Sequence, residues 1–157
     1  MIKTDYKVFV FDLDFTLWDA GGSWCDCTNP PYHKDSNGSV FDSYDRHIRL
    51  YDDVLDILES LKNFNFEVAL ASRTGAPNWA NQLTNMLGVD PYIDYREIYP
   101  GSKIPHLNRI MKASGNSASD LVFFDDEQRN IHDAKSIGVD AVYVSNGINW
   151  QLIKRSI

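Results

Sequence analysis

Four near-continuous apolar runs, separated by stretches of helical periodicity, constrain the fold of this chain more than any other feature. They are KVFVFD (Lys7 to Asp12), FEVALAS (Phe66 to Ser72), DLVFFDD (Asp120 to Asp126) and DAVYVS (Asp140 to Ser145), with a shorter candidate, YREIY, at Tyr95 to Tyr99. Runs of this length without polar alternation suit strands covered on both faces. Between them, Val54, Ile57, Leu58 and Leu61 share one helical face, as do Trp79, Leu83, Met86 and Leu87, and Ile104, Leu107, Ile110 and Met111. A further helix is expected from about Glu127 to Ile137, stopped by Gly138. Strands alternating with helices predict an α/β protein built on a central, mostly parallel sheet.

One region breaks the alternation. From Asp19 to about Leu50 the chain is rich in Gly, Pro, Asn and Ser, and it is long for a connection inside a compact domain. Ser36 to Ser39 (SNGS) is a hairpin turn signal within it. The expected organisation is one domain over 1–157, with an insertion at about 19–50 forming a small flap or β-hairpin cap over the end of the first strand.

A formal charge of −7 and no block of basic residues argue against nucleic-acid binding and against an anionic lipid surface. No apolar run approaches the roughly 20 residues of a membrane helix, and no signal-peptide pattern follows Met1, so a cytoplasmic protein is expected. Cys25 and Cys27 are too close to suggest a disulfide framework.

In open parallel sheets, ligands bind at the carboxyl ends of the strands. The first strand here ends in Asp12 and Asp14, and the second in Ser72, followed by Arg73 and Thr74. The short strand leads through PGSK to Lys103, and the DLVFFDD run ends in Asp125 and Asp126. If the Asp12 and Asp125 strands are neighbours, four carboxylates crowd one crevice. Each like-charge pair at about 4 Å costs roughly 1 kcal/mol in water and about 4 kcal/mol at an effective dielectric of 20. Either some are protonated or a cation sits among them, and hard oxygen donors suit Mg²⁺. One of Asp125 and Asp126 could instead serve to cap the helix near Glu127. Lys103 follows Ser102, a candidate N-cap, and a lysine at a helix N-terminus is mildly disfavoured unless an anion is held there.

DLDFT resembles the D-x-D-x-[TV] signature of the haloacid dehalogenase (HAD) superfamily. FDLDFTLW, ASRT, REIYPGSK and FFDDEQRN, in that order, resemble its eukaryotic magnesium-dependent phosphatases and their bacterial relatives. The resemblance implies a HAD-like three-layer sandwich and a Mg²⁺-dependent phosphomonoesterase working through an aspartyl-phosphate. It makes Asp12 the nucleophile and Asp14 the general acid and base. It has Ser72 and the backbone around Leu13 and Arg73 holding phosphoryl oxygens, and Lys103 offsetting charge. Mg²⁺ falls to Asp12, the backbone carbonyl of Asp14, and Asp126 as the direct ligand from the last motif, with Asp125 behind it. The implied partners are small phosphate esters, sugar-amine phosphates among them, or a phosphotyrosine protein.

A glyceryl- or phosphoryl-transferase of the same superfamily is the alternative, and a phospho-acceptor receiver domain a lesser one, since receivers carry their paired acids first and their lysine last. Cys25 and Cys27 read as free thiols, and His33, His47, His106 and His132 as surface or flap residues, with His33 and Lys34 secondary candidates for substrate contact. Trp18, Trp24 and Tyr32 either stack on a substrate ring or pack the flap onto the body.

Overall fold

Strands and helices alternate as expected in the computed structural model, which describes residues 2–157. The elements are β1 (Val8–Phe11), β2 (Trp18–Ala20), β3 (His33–Lys34), β4 (Val40–Phe41), β5 (His47–Leu50), α1 (Val54–Asn63), β6 (Glu67–Ser72), α2 (Pro77–Met86), β7 (Tyr95–Ile98), α3 (Lys103–Ser114), β8 (Leu121–Asp125), α4 (Gln128–Ser136), β9 (Asp140–Tyr143) and α5 (Trp150–Ser156). β1, β6, β7, β8 and β9 form one sheet in the order β7-β6-β1-β8-β9, and all four pairings are parallel.

β1 is the central strand, which explains its unbroken apolar run: all four of its residues are fully buried. Phe9 and Phe11 point to one face and stack near Phe124, with Phe11 and Phe124 ring centroids 5.2 Å apart. That face is covered by α1, α2 and α5 through Ile57, Leu61, Leu83 and Ile153. Val8 and Val10 point to the other face, where α3 and α4 bring Leu107, Ile110 and Ala134. Each large apolar side chain so buried contributes roughly 1.5–3 kcal/mol. The result is a three-layer α/β sandwich, as the resemblance implies.

The helical faces read from the sequence are the inner ones, with one correction. On α3 the wholly buried residues include Lys103 and His106 as well as Leu107 and Ile110, whereas Ile104 and Met111 are only partly covered. A polar pair thus heads the inner face of this helix. The segment 150–156, which carries no strong sequence signal, forms α5 and is capped by Asn149, whose side chain accepts from Leu152 N.

The insertion is more than a hairpin. β3 and β4 form the expected hairpin around Asp35–Ser39, where the Asp35 carboxylate accepts the N–H groups of Asn37 and Ser39. They are the outer half of a four-stranded antiparallel sheet, ordered β2-β5-β4-β3, that caps the body. β2 and β5 escape the reading because they are short and separated by nearly thirty residues. Asp42 organises the cap: its fully buried carboxylate accepts N–H bonds from Asn29, Tyr44 and Arg46. Trp18, Ala20, Tyr32, Val40 and Ile48 join the core beside Phe11, so the cap shares its apolar interior with the body.

Candidate active site

Parallel register brings the strand ends level. Phe11 lies opposite Leu70 on one side and Phe124 on the other, and the Asp12 N–H donates to the Phe124 carbonyl at 3.0 Å. Asp12 therefore sits level with Ala71 and Asp125, with Ser72 one residue further along β6. After it the chain turns sharply: the Leu17 N–H donates to Leu13 O at 2.9 Å, Phe15 N–H to Trp18 O at 2.7 Å, and Phe15 takes a φ of 61°. A phenylalanine in the left-handed region carries strain, here inside a turn fixed from both sides.

These ends open into a cleft of about 230 Å³ lined by Asp12, Asp14, Ser72, Arg73, Thr74, Lys103, Asp126 and Asn130, with Trp24, Asp26, Glu127 and Arg129 also along it. The structure thus gathers most of the residues singled out from the sequence. Leu13 is fully buried behind the cleft, leaving only its backbone to act there, and Asp125 lies beneath the floor.

Lys103 holds the centre. Its ammonium is wholly buried and donates to Asp125 Oδ2 at 2.7 Å, Asp12 Oδ1 at 3.1 Å and Ala71 O at 2.7 Å. Burial pushes its pKa down, but the Asp12 and Asp125 carboxylates push it up by more, so it stays charged. Around that one cation, Asp12, Asp125 and Asp126 bring carboxylate oxygens within 4.8 Å of one another. Burial raises Asp12 well above the usual carboxylate range; Lys103 opposes that, and Asp125 and Asp126 add to it. Asp126 is raised too, first by burial. Crowded hard oxygen donors with too little positive charge fit a small divalent cation.

The two acids of the last motif differ in their free oxygens. Asp125 Oδ1 accepts Glu127 N–H at 2.8 Å, Oδ2 accepts Lys103, and the Asn130 amide reaches both at 3.2 and 3.1 Å. Asn130 is itself oriented by the Arg73 guanidinium, 3.1 Å from its Oδ1. Asp126 is half-buried and faces the cleft. Neither aspartate occupies the N-cap position of α4, which belongs to Glu127.

Asp14 is 7% exposed, and its Oδ1 accepts two N–H groups, the Trp18 indole at 2.7 Å and the Cys25 backbone at 2.8 Å. Burial pushes its pKa up to about 6, against the pull of these two donors. Ser72 Oγ accepts Thr74 N–H at 3.3 Å, and Thr74 Oγ1 lies 3.4 Å from Cys25 Sγ.

Several expectations change here. His106 is not a surface residue: its ring lies one turn beyond Lys103, stacked on Tyr99 at 4.1 Å, with Nδ1 2.8 Å from Ser102 O and Nε2 2.9 and 2.8 Å from Ser72 O and Tyr99 O. Burial holds its pKa below the ordinary histidine range. Ser102 occupies the N-cap of α3 without a side-chain cap bond. His33 and Lys34 are exposed on β3 and do not line the cleft. Of the three candidate aromatics, Trp18 and Tyr32 are buried in packing and only Trp24, 51% exposed, reaches the cleft. Cys25 and Cys27 are free thiols, the first buried and the second exposed. Asn130, Arg129 and Asp26 enter only through the fold, although Asn130 stands five residues after Asp125 in the FFDDEQRN block.

The family profile described as Acid Phosphatase matches residues 6–157. The chain belongs to the acid phosphatase family. Human magnesium-dependent phosphatase 1 is 41% identical to this family member over 152 residues, covering 96% of the chain and 85% of the relative. A HAD-like hydrolase superfamily protein of Schizosaccharomyces pombe is 36% identical over 145 residues, covering 85% and 82%. Among solved structures, a haloacid dehalogenase-like hydrolase from Streptococcus pneumoniae superposes with a TM-score of 0.68 at 14% identity, over 97% of this chain and 91% of that one. This acid phosphatase family member is therefore a magnesium-dependent phosphatase relative on a HAD fold. Among its described residues, no helix is long and apolar enough to cross a membrane.

Proposed function

We propose that the chain hydrolyses phosphomonoesters with Mg²⁺, through an aspartyl-phosphate on Asp12. The observation that carries this reading is the cluster of Asp12, Asp125 and Asp126 around the single buried ammonium of Lys103 at the floor of the cleft. Asp12 attacks phosphorus, and Asp14 gives a proton to the departing oxygen and later takes one from the hydrolytic water. The Ser72 hydroxyl and the backbone N–H groups near Leu13 and Arg73 hold the phosphoryl oxygens, while Lys103 keeps the Asp12 carboxylate in place and offsets the incoming charge. Asp12, the Asp14 carbonyl and Asp126 would hold Mg²⁺, which supplies positive charge against the phosphoryl group. Asp125, with both oxygens already engaged, holds Lys103 instead.

The substrate class read here is a phosphate ester whose leaving group rests against Trp24 at the cleft mouth, an aryl phosphate or phosphotyrosine side chain, or a small sugar-amine phosphate. Hydrolysis is favoured over transfer by the likeness to a relative named a phosphatase. The test is hydrolysis of p-nitrophenyl phosphate with Mg²⁺ and with excess EDTA, beside Asp12→Asn. Metal-dependent turnover that vanishes in the variant is expected; turnover that survives the substitution would reject Asp12 as the nucleophile.

A further inference from the structure

We propose that the cap, through the Trp18 indole and the Cys25 backbone N–H, fixes which oxygen of Asp14 carries the transferred proton, making Trp18 a positioning residue for proton transfer. This rests on the reading of Asp14 as the general acid and base. Both donors converge on one atom, Oδ1, at 2.7 and 2.8 Å. A carboxylic acid has one carbonyl oxygen, which accepts, and one hydroxyl oxygen, which donates. Two N–H groups aimed at Oδ1 hold it as the acceptor, because a proton there would face two other protons. The proton therefore resides on Oδ2, the oxygen these two donors leave free, on a side chain that lines the cleft.

The step then balances as follows. An Asp12 oxygen forms a bond to phosphorus as the bond from phosphorus to the leaving oxygen breaks. The Oδ2 proton of Asp14 passes to that leaving oxygen, and Asp14 is left a carboxylate. In the second half, water gives a proton to Oδ2 as its oxygen bonds phosphorus and the acyl-phosphate bond from phosphorus to the Asp12 oxygen breaks, returning Asp12 as a carboxylate. Oδ1 keeps the same two donors throughout, so the side chain does not have to turn over between the halves.

Both donors come from the cap. Trp18 is fully buried and opens β2, while Cys25 is fully buried in a short 3₁₀ turn, Cys25–Cys27. The Cys25 thiol also lies 3.4 Å from Thr74 Oγ1, and the Thr74 N–H donates to Ser72 Oγ at 3.3 Å. The same turn thus meets the proton donor on one side and the phosphate-binding loop on the other. A purely structural indole needs an acceptor but not this one. Placing it on Asp14, four residues back, ties the packing of the cap to the chemistry of the cleft.

The experiment removes the indole N–H and reads leaving-group dependence, which lost packing alone does not change. Trp18→Phe, and Trp18 replaced by benzothienylalanine to keep the bicyclic shape without the N–H, are compared with wild type and Asp14→Asn. The readout is kcat/KM for phenyl phosphate, whose leaving oxygen needs a proton, and for 2,4-dinitrophenyl phosphate, whose leaving oxygen departs without one. Both Trp18 variants should lose about 10- to 100-fold on phenyl phosphate and less than about 3-fold on the dinitrophenyl ester. Parallel losses on both esters, with Asp14→Asn still steeply leaving-group dependent, would overturn the role of Trp18 alone. Parallel losses in Asp14→Asn itself would overturn the reading of Asp14 as the acid, and this proposal with it.

Discussion

The two adjacent aspartates at the end of β8 should respond in opposite ways to loss of charge. Asp125 is fully buried and forms one side of the Lys103 ion pair at 2.7 Å. Breaking a buried pair by removing one partner costs about 3–5 kcal/mol. Lys103 retains Asp12 at 3.1 Å, which places Asp125→Asn at the lower end, about 3 kcal/mol. In a chain of this length each kcal/mol moves the midpoint by about 2–4 °C, so Tm in EDTA should fall by about 6–12 °C. Asp126 is half-buried, has no cationic partner among the described residues, and stands against two other carboxylates. Asp126→Asn relieves repulsion, and its Tm in EDTA should stay level or rise slightly.

Mg²⁺ reverses the order. At about 100 times its Kd, a ligand of the folded state adds about 2.7 kcal/mol, or about 5–11 °C here. If losing a direct carboxylate ligand weakens binding about 100-fold, the same Mg²⁺ concentration gives only about 0.4 kcal/mol, a shift of about 1–2 °C. Asp126→Asn should therefore lose most of the Mg²⁺ shift, and Asp125→Asn, though less stable, should keep much of it. Calorimetric scans of both variants and wild type across a Mg²⁺ series decide the matter. Were Asp126→Asn to retain the full shift while Asp125→Asn lost it without a fall in EDTA, the division of labour drawn from their oxygens would be wrong.

Ser72→Ala removes a hydroxyl from the cleft floor; hydrogen bonds to charged groups are worth about 1.5–3 kcal/mol, so kcat/KM for p-nitrophenyl phosphate should drop about 10- to 100-fold with Tm nearly unchanged. His106→Ala removes a buried ring that sits between three carbonyl oxygens and the Tyr99 face, and urea unfolding should register a loss of about 2–4 kcal/mol. At Asp42, burial pushes the carboxyl up, but the N–H groups of Arg46, Asn29 and Tyr44 together bring it below its ordinary value. A carboxyl lowered in the folded state contributes stability above its unfolded pKa of about 3.9 and loses it as pH falls through the folded value. Acid unfolding should accordingly be less steep below about pH 4 in Asp42→Asn, which should also be less stable at neutral pH; an unchanged acid limb would refute the contribution.

The body of the fold was legible because burial on both faces leaves an unambiguous mark on sequence. A central strand such as β1 admits only apolar residues, so the acids that follow stand out, and parallel register then fixes them at one height. For the same reason Lys103, Ser72 and Asp125 stand out by their position at strand and helix ends. The cap was legible only as an interruption. β2 and β5 are three and four residues long and pair across a long stretch of sequence, and a cap held together by Asp42 and backbone N–H groups leaves no periodic trace. His106 and Asn130 leave no such mark for a related reason: each is a polar residue on the inner face of a helix, and periodicity marks such positions only when they are apolar.

That pattern of success and failure has a physical reading. Asp12, Ser72 and Asp125 stand at or just past the ends of sheet strands, where the apolar code is strong, while Lys103, Asn130 and the donors to Asp14 come from helices and cap, where polar contacts are satisfied one by one. Lys103 depends on Asp125, and Asp125 on Asn130 and the Glu127 N–H; Asp14 depends on Trp18 and Cys25. Each of these supports is a buried hydrogen bond to a charged or proton-transferring group, and such bonds cost most when one partner is removed. Substitutions at the supports should therefore reach activity through geometry, with Asp12, Asp14, Ser72 and Lys103 left in place. The insertion that interrupts the sheet pattern supplies both donors to Asp14, so the body without its cap would keep Asp12 and Lys103 but lose what aims the proton.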